Sequence, residues 1–235
     1  MNGLLVRVGI DSTDGCWNAP MRLATGEFAY VTITEAKTLR DGMARLYNEF
    51  DSVVLRFGKQ LPSDLHGTPT HLDPDFDRLT YGDQGQRAKR ITTHLTTGDI
   101  LAFFAALRPA DGPSRPLVYA LIGLYVIERI APAKSVPESQ WPENAHTRRV
   151  PGETDIVVRA RPGVSGRLRR CISIGVLRGG VYRVRNDLLE TWGGLDIKDG
   201  YIQRSVRLPA FLDTEKFYRW FIAQKPKLIP ENNPI

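Results

Sequence analysis

Apolar residues dominate two stretches in the middle of the chain, at 100–107 and 117–130, and a Pro- and Gly-rich segment at 108–116 separates them. Apolar runs of this length between turn residues are typical of buried strands. The second stretch opens with about eleven apolar residues, whereas a membrane-spanning helix needs roughly twenty. The pattern therefore predicts a buried β-hairpin at the centre of the fold.

Shorter patterns surround this hairpin and predict the remaining elements. Apolar runs and alternations predict strands at 4–10, 28–33, 52–57, 155–161, 170–177, 181–184 and 206–208. Helical spacing and polar caps predict helices at 34–50, 85–95, 186–192 and 214–224. Residues 58–82 read as a long loop, and 131–153 as a loop-rich connector. We expect an α/β fold, or α+β, in which a few helices flank a mixed, strand-rich sheet.

The composition is that of an ordinary globular protein, with 42% hydrophobic and 25% charged residues, so a substantial core can form. At 235 residues, we expect a single domain covering 1–235. Polar site motifs lie within 1–130, and the part at 146–235 is rich in arginine.

The charge is distributed unevenly. Residues 1–125 carry 13 basic and 14 acidic side chains, and residues 126–235 carry 19 and 12, for a net charge of +6. Arginine suits phosphate and base edges, so a nucleic acid or nucleotide partner follows naturally. The alternative is that these arginines alternate on the wet face of strands. The candidate nucleic-acid-binding residues are Arg159, Arg161, Arg167, Arg169 and Arg170.

Only two cysteines are present, Cys16 and Cys171, which excludes a disulfide framework and a four-cysteine zinc site. The first residues of the sequence are too polar for a signal peptide, and their apolar run is too short. We therefore expect a cytoplasmic protein with free thiols and no membrane partner.

The segment IDSTDG at 10–15 places Asp11 and Ser12 where the first predicted strand ends. Strand ends commonly present catalytic or ligand-binding groups. Asp11 could bind a metal, a ribose hydroxyl or an amine, and Ser12 could donate to phosphate. The alternative is a local turn in which the aspartates bond their own backbone amides.

The segment HLDPDFD at 71–77 places His71, Asp73, Asp75 and Asp77 at spacings of two residues. An extended chain would direct these groups to one side, where an acid/base pair or Mg²⁺ ligands could form. The alternative is a solvated acidic loop. No spacing diagnostic of a metal site occurs, so we assign no metal ligands and leave the cofactor open, with a divalent metal such as Mg²⁺ as one option.

The segment YGDQGQR at 81–87 places Asp83, Gln84, Gln86 and Arg87 at a predicted helix start. Free amides at a helix start attract anions, and glutamine side chains can read base edges. The alternative is that Asp83 only caps the helix. His94 and His146 have no obvious partners in the sequence, so we interpret both as structural or surface residues.

These residues, in this order, resemble the nucleotide modification associated domain 3 family. The similarity rests on Asp11, Ser12 and Gly15, then 71–75, 82–86, Gly98, Asp99, Phe103 and Phe104, 121–126 and finally 207–212. The chain departs from the family pattern in its first loop, where DGCWNAP stands in place of a Gly-Gly turn. The resemblance implies a part in nucleotide, DNA or other nucleic-acid modification within a bacterial or phage system, with other base-modification enzymes as partners.

Three functions remain open at this point. The first is an enzyme, a transferase or hydrolase, that modifies a base or nucleotide, with Asp11, His71, Asp73 and Asp75 as catalytic residues. Its substrate would be held by Ser12, Asp83, Gln84, Gln86 and Arg87. The second is a non-catalytic reader that binds a modified base of DNA or RNA in an aromatic cage, with Trp17, Tyr81, Trp141 and Trp192 as candidates. The third is an enzyme on free nucleotides.

Overall fold

The computed structural model of the chain describes residues 1–11, 17–111, 116–203 and 207–234. Its strands are β1 (Gly3–Arg7), β2 (Pro20–Met21), β3 (Ile33–Thr34), β4 (Thr70–His71), β5 (Thr80–Asp83), β6 (Ile100–Pro109), β7 (Val118–Pro132), β8 (Ile156–Ala160), β9 (Gly166–Ser173), β10 (Gly175–Arg178), β11 (Val181–Val184) and β12 (Leu228–Ile229). Its α-helices are α1 (Asp51–Leu55), α2 (Gly85–His94), α3 (Ala145–Arg148), α4 (Asn186–Trp192) and α5 (Thr214–Ala223).

Eight strands form one mixed sheet, which confirms the α/β class. The main path is β1-β6-β7-β8-β5, and β9 lies beside the first part of β7. β1 and β2 run parallel to β6, and the other pairs of this sheet are antiparallel. The predicted hairpin is confirmed as β6 and β7, the longest strands of the sheet.

The sheet is covered on both faces, which explains why its central strands are apolar without polar alternation. Phe103 points into one core with Tyr30, and its neighbour Phe104 points into the other. The second core is closed by α4 and α5 through Trp192 and Phe217. The first core is closed by the irregular segments before β5 and by α2.

Several predicted elements are confirmed. They include the first strand, the strand at 181–184 and the helices at 85–95, 186–192 and 214–224. The Asp213 side chain caps α5 by accepting a hydrogen bond of 3.0 Å from the Lys216 amide. Among the described residues, no helix is both long and apolar enough to cross a bilayer.

The prediction of a helix at 34–50 is wrong. Thr34 belongs to β3, and only Tyr47–Phe50 forms a short 3-10 helix. Gly42 interrupts the segment with a left-handed φ of +72°, and the Glu35 side chain is engaged by His71. Tertiary contacts therefore override the apolar spacing of this segment.

Two predicted strands before β4 are also wrong. Residues 52–57 fall largely in α1, although two valines there favoured a strand. Residues 29–32 are buried but lie outside any strand, and the Asn233 side chain satisfies both the amide and the carbonyl of Tyr30 in place of a neighbouring strand. The strand predicted at 206–208 begins outside the described residues, and Arg207 and Leu208 are not in a strand.

Candidate functional site

A polar cavity of about 640 Å³ opens where the end of β1, β4, β5, the start of α2 and the residues around α3 meet. Its lining combines charged, imidazole and amide side chains. These are Arg7, Asp11, Glu35, Lys37, His71, Asp73, Asp83, Gln84, Gln86, Arg87, His146 and Arg149. The end of the first strand is far in sequence from the segments HLDPDFD and YGDQGQR, and all three contribute to one site.

Asp73 is a buried acidic residue on this cavity, with 7% of the residue exposed. Its oxygens accept hydrogen bonds of 2.9 and 2.7 Å from the Gly82 amide. Burial raises the pKa of Asp73 well above its usual range, and the bonds from Gly82 oppose that shift only in part. Asp73 is therefore a carboxyl group held at the cavity with little water around it.

Two imidazoles flank the Asp73 carboxylate. Nε2 of His71 lies 3.8 Å from Asp73 Oδ2, and Nε2 of His146 lies 3.7 Å from the same oxygen. The two rings are nearly perpendicular, with centroids 5.0 Å apart. Three side chains from β4, the following turn and α3 thus direct one polar atom each toward a common point.

Each imidazole is oriented from behind by a second carboxylate. His71 Nδ1 lies 2.6 Å from Glu35 Oε2, and His146 Nδ1 lies 3.0 Å from Asp155 Oδ2. Glu35 can only accept, so Nδ1 of His71 carries a hydrogen. Nδ1 of His146 lies 3.0 Å from Asp155 Oδ2, which accepts, and also 3.0 Å from Arg149 Nη2, which donates. These contacts fix the direction of both rings.

Arg149 connects these two supports. Its guanidinium donates to Glu35 Oε1 at 3.2 Å and to Asp155 Oδ2 at 3.0 Å, and the residue is 3% exposed. Burial raises the pKa of Glu35, but His71, the Lys37 amide and the charge of Arg149 together outweigh burial and lower that pKa to about 2. The pKa of Asp155 is likewise lowered by His146 and Arg149 against the effect of burial. Both supporting carboxylates therefore stay ionised.

Gly82 on β5 is required by this packing. A Cβ atom there would lie 2.3 Å from His146 Cδ2, 2.8 Å from Asn144 Oδ1 and 2.9 Å from Asp73 Oδ2. Contacts below 3 Å are incompatible with an undisturbed site. Glycine at 82 therefore allows the imidazole of His146 to lie close to β5, the strand whose Gly82 amide donates to Asp73.

The residues of the YGDQGQR segment divide into two groups. Asp83, Arg87 and Tyr81 bond one another, since Asp83 Oδ2 accepts from Arg87 Nε at 2.9 Å and from the Tyr81 hydroxyl at 2.5 Å. Gln84 and Gln86 are exposed at the rim of the cavity. Asp83 also accepts from the Gln84 amide at 2.9 Å, so it supports the helix start as well as the cavity wall.

The other predicted catalytic residues lie in different places. Asp11 lines the cavity and pairs with Arg7 at 2.5 Å, at the β1 side. Asp75 does not line the cavity, because its carboxylate is buried against Arg148 at 2.7 Å and Asn232 at 2.9 Å. The expectation that an extended HLDPDFD segment directs all its acids to one side is therefore wrong, since a turn follows Asp75. Ser12 lies outside the described residues.

None of the five candidate nucleic-acid-binding arginines lines this cavity. Arg169 and Arg170 are exposed on β9, Arg161 is exposed just after β8, and Arg159 is paired with Glu143. Arg167 is 1% exposed, donates to the Phe28 carbonyl at 2.5 Å and lies over the Phe28 ring. Its position in the core takes it out of reach of a polymer.

Sequence reasoning missed His146, Glu35, Asp155 and Arg149. The interpretation of His146 as structural or surface misses its place at the cavity, because only the fold brings it to Asp73, which is distant in sequence. The one available signal is composition. Asp155 is one of only two acidic residues in the arginine-rich sequence at 146–185, and an isolated acid among arginines indicates a specific partner.

The chain matches the nucleotide modification associated domain 3 family over residues 2–191 of 235. No curated protein and no solved structure shows significant similarity to it. The matched range contains every residue of the cavity described above. The chain therefore belongs to the nucleotide modification associated domain 3 family, whose description associates it with nucleotide modification.

Proposed function

We propose that the protein is an enzyme that modifies a base or nucleotide within nucleic acid, and that the reaction takes place at the cavity beside Asp73. The observation that carries the proposal is the placement of one buried carboxylate between two oriented imidazoles in an open polar cavity. Orienting hydrogen bonds behind both rings are typical of groups that handle protons or ligands during a reaction. A purely structural cluster has no need of an open cavity.

The size and lining of the cavity fit a nucleoside or nucleotide. Its volume of about 640 Å³ falls in the range of sites for small molecules. Gln84 and Gln86 offer amides that can pair with a base edge. Lys37 Nζ contacts only the Gln84 side chain among the described residues, at 2.8 Å, so its charge is available to a phosphate.

A basic groove adjoins the cavity along α2 and supports a polymer as substrate. The groove encloses about 400 Å³ and shares Gln86 and Arg87 with the cavity. Arg90 and Arg207 share a single carboxylate, Asp196, which leaves a net positive charge there. A free nucleotide would not need this second surface, whereas a phosphate backbone would follow it.

The reader hypothesis has less support because its aromatic cage is not assembled. Trp192 is buried in the second core, and Trp141 packs under the Arg40 guanidinium at 3.4 Å. Of the four aromatic candidates, only Tyr81 lines the cavity, and its hydroxyl is bonded to Asp83. A base in this cavity would meet carboxylates and imidazoles instead of aromatic faces.

Mass spectrometry of nucleosides from cells expressing the wild type or Asp73→Asn tests the proposal. Asparagine keeps the shape of the side chain and an acceptor for the Gly82 amide, so the fold should persist. We expect a nucleoside of DNA or RNA to change in the wild type and to return to the host pattern in the variant.

Asp64→Asn is the matched control, because Asp64 is an exposed carboxylate in a 3-10 helix outside the cavity lining. It should behave as the wild type. Full activity of a folded Asp73→Asn protein would refute the assignment. Tight binding of modified nucleic acid without any change in nucleosides would favour the reader instead.

A further inference from the structure

We propose that His71, Asp73 and His146 bind one divalent first-row transition metal ion, of the Zn²⁺ or Fe²⁺ class, at the wall of the cavity. The inference deepens the proposed function by naming a cofactor for the same site. Metal binding is measured on the protein alone, so the inference can fail or hold independently of any modification activity.

The geometry of the donor atoms is the first argument. One ring nitrogen of His71, one ring nitrogen of His146 and a carboxylate oxygen of Asp73 all lie within 4.8 Å of one another. Donors that share one ion at about 2.0–2.1 Å stand roughly 3.0–3.4 Å apart. The two contacts to Asp73, at 3.7 and 3.8 Å, need only small side-chain rotations to reach that spacing.

The surroundings of the two imidazoles are the second argument. Metal-bound histidines almost always donate their other ring nitrogen to a carboxylate or carbonyl, which fixes the ring and raises its basicity. Both histidines place that nitrogen within hydrogen-bond distance of a carboxylate here, Glu35 or Asp155, and Arg149 holds these two carboxylates in place. Two imidazoles, each held by its own carboxylate, face the same oxygen of Asp73. Ordinary packing of a histidine against an acid would not require this duplication.

The charge of Asp73 is the third argument. Asp73 is buried, yet no lysine or arginine among the described residues forms an ion pair with it, and only the two imidazoles approach as cation candidates. A buried carboxylate is costly unless it is paired, protonated or bound to a metal. A dication between the three donors would supply that pairing.

The donor set indicates which metals fit. Two imidazoles and one carboxylate suit Zn²⁺ and Fe²⁺, whereas Mg²⁺ prefers oxygen ligands alone. Three protein donors leave coordination positions open toward the cavity, as in catalytic sites and in contrast to closed structural ones. Mg²⁺, the option raised by the acidic segment alone, is therefore disfavoured at these residues.

Titration calorimetry and metal analysis after dialysis test the site, with metal-stripped protein and Zn²⁺, Co²⁺, anaerobic Fe²⁺ or Mg²⁺ as probes. We expect one transition metal ion per chain and no comparable binding of Mg²⁺. Co²⁺ should give visible ligand-field absorption that depends on His71. Asp73→Asn and His71→Gln should each weaken Zn²⁺ binding by more than about 100-fold, and Glu35→Gln by about 10- to 100-fold.

His66→Gln is the matched control, since His66 is an exposed histidine that pairs with a carboxylate, Asp51, away from the cavity. It should bind metal as the wild type does. Circular dichroism shows whether each variant is folded. If Asp73→Asn does not fold, His71→Gln tests the site instead, because His71 is only partly buried. Equal Zn²⁺ affinity in the wild type, His71→Gln and Asp73→Asn, or no transition-metal binding by folded wild type, would overturn the site.

Discussion

Replacement of Gly82 by alanine is the most direct test of how tightly the centre is packed. The added methyl group would lie 2.3 Å from His146 Cδ2, whereas ordinary carbon contacts are about 3.5–4.0 Å. His146 or β5 must therefore move by roughly 1 Å. His146 cannot move freely, because it is buried and its Nδ1 is bonded to Asp155 at 3.0 Å.

The size of the effect follows from this overlap. Overpacking of a buried site costs about 1–3 kcal/mol of unfolding free energy. For a chain of 235 residues, each kcal/mol lowers the melting temperature by about 2–4 °C. A shift of about 1 Å at a reacting group can lower the rate by about 100-fold, so activity should suffer more than stability.

Urea unfolding followed by circular dichroism, together with the nucleoside assay, measures both effects of Gly82→Ala. Gly58→Ala is the matched control, because a Cβ there meets no atom within 4 Å and only the left-handed backbone at φ +65° is strained. The control should lose about 1 kcal/mol and keep full activity. Wild-type stability and activity in Gly82→Ala would refute the close approach of His146 to β5.

Two further predictions concern residues outside the cavity. Arg167→Ala should lower the unfolding free energy by about 1–3 kcal/mol in urea titrations, because it leaves the Phe28 and Leu168 carbonyls without their donor. Nucleic-acid affinity of the folded variant should be unchanged, and a loss of affinity at wild-type stability would contradict this placement. Burial raises the pKa of the Cys171 thiol to about 12, so it should resist iodoacetamide at pH 8 in the native state and react in urea, as peptide mapping would show. Because the unfolded thiol ionises near pH 8.5, its contribution to stability should be lost as the pH rises from there toward 12, and rapid native labelling at pH 8 would contradict the raised pKa of this partly buried thiol.

The parts of the fold that the sequence predicts well are those where local pattern and burial agree. The apolar runs of β6 and β7, the helix α2 and the capped helix α5 carry their own signals, and these elements are confirmed. Between β2 and β4 the local pattern conflicts with tertiary contacts. Leu39, Met43 and Leu46 recur at helical spacing, yet this segment is drawn across the site by Glu35 and by bonds such as that from the Arg40 amide to the Arg148 carbonyl.

The site shows the same limit. The sequence indicates His71 and Asp73 because they lie close together in a polar segment, and both line the cavity. It could not indicate His146, because His71 and Asp73, which it meets at the cavity, are separated from it by more than seventy residues of chain. The carboxylate of Asp75 is buried by contacts with Arg148 and Asn232, which lie 73 and 157 residues away in the chain.

The measurement that tests the central claim most directly compares nucleosides from cells expressing His71→Gln, Asp73→Asn, His146→Gln and Asp64→Asn. If the three cavity residues act as one centre, each of the first three variants should lose the modification completely, and the control should retain it. Combining two of the three changes should cause no additional loss. Retention of wild-type modification in any folded variant of His71, Asp73 or His146 would contradict the account.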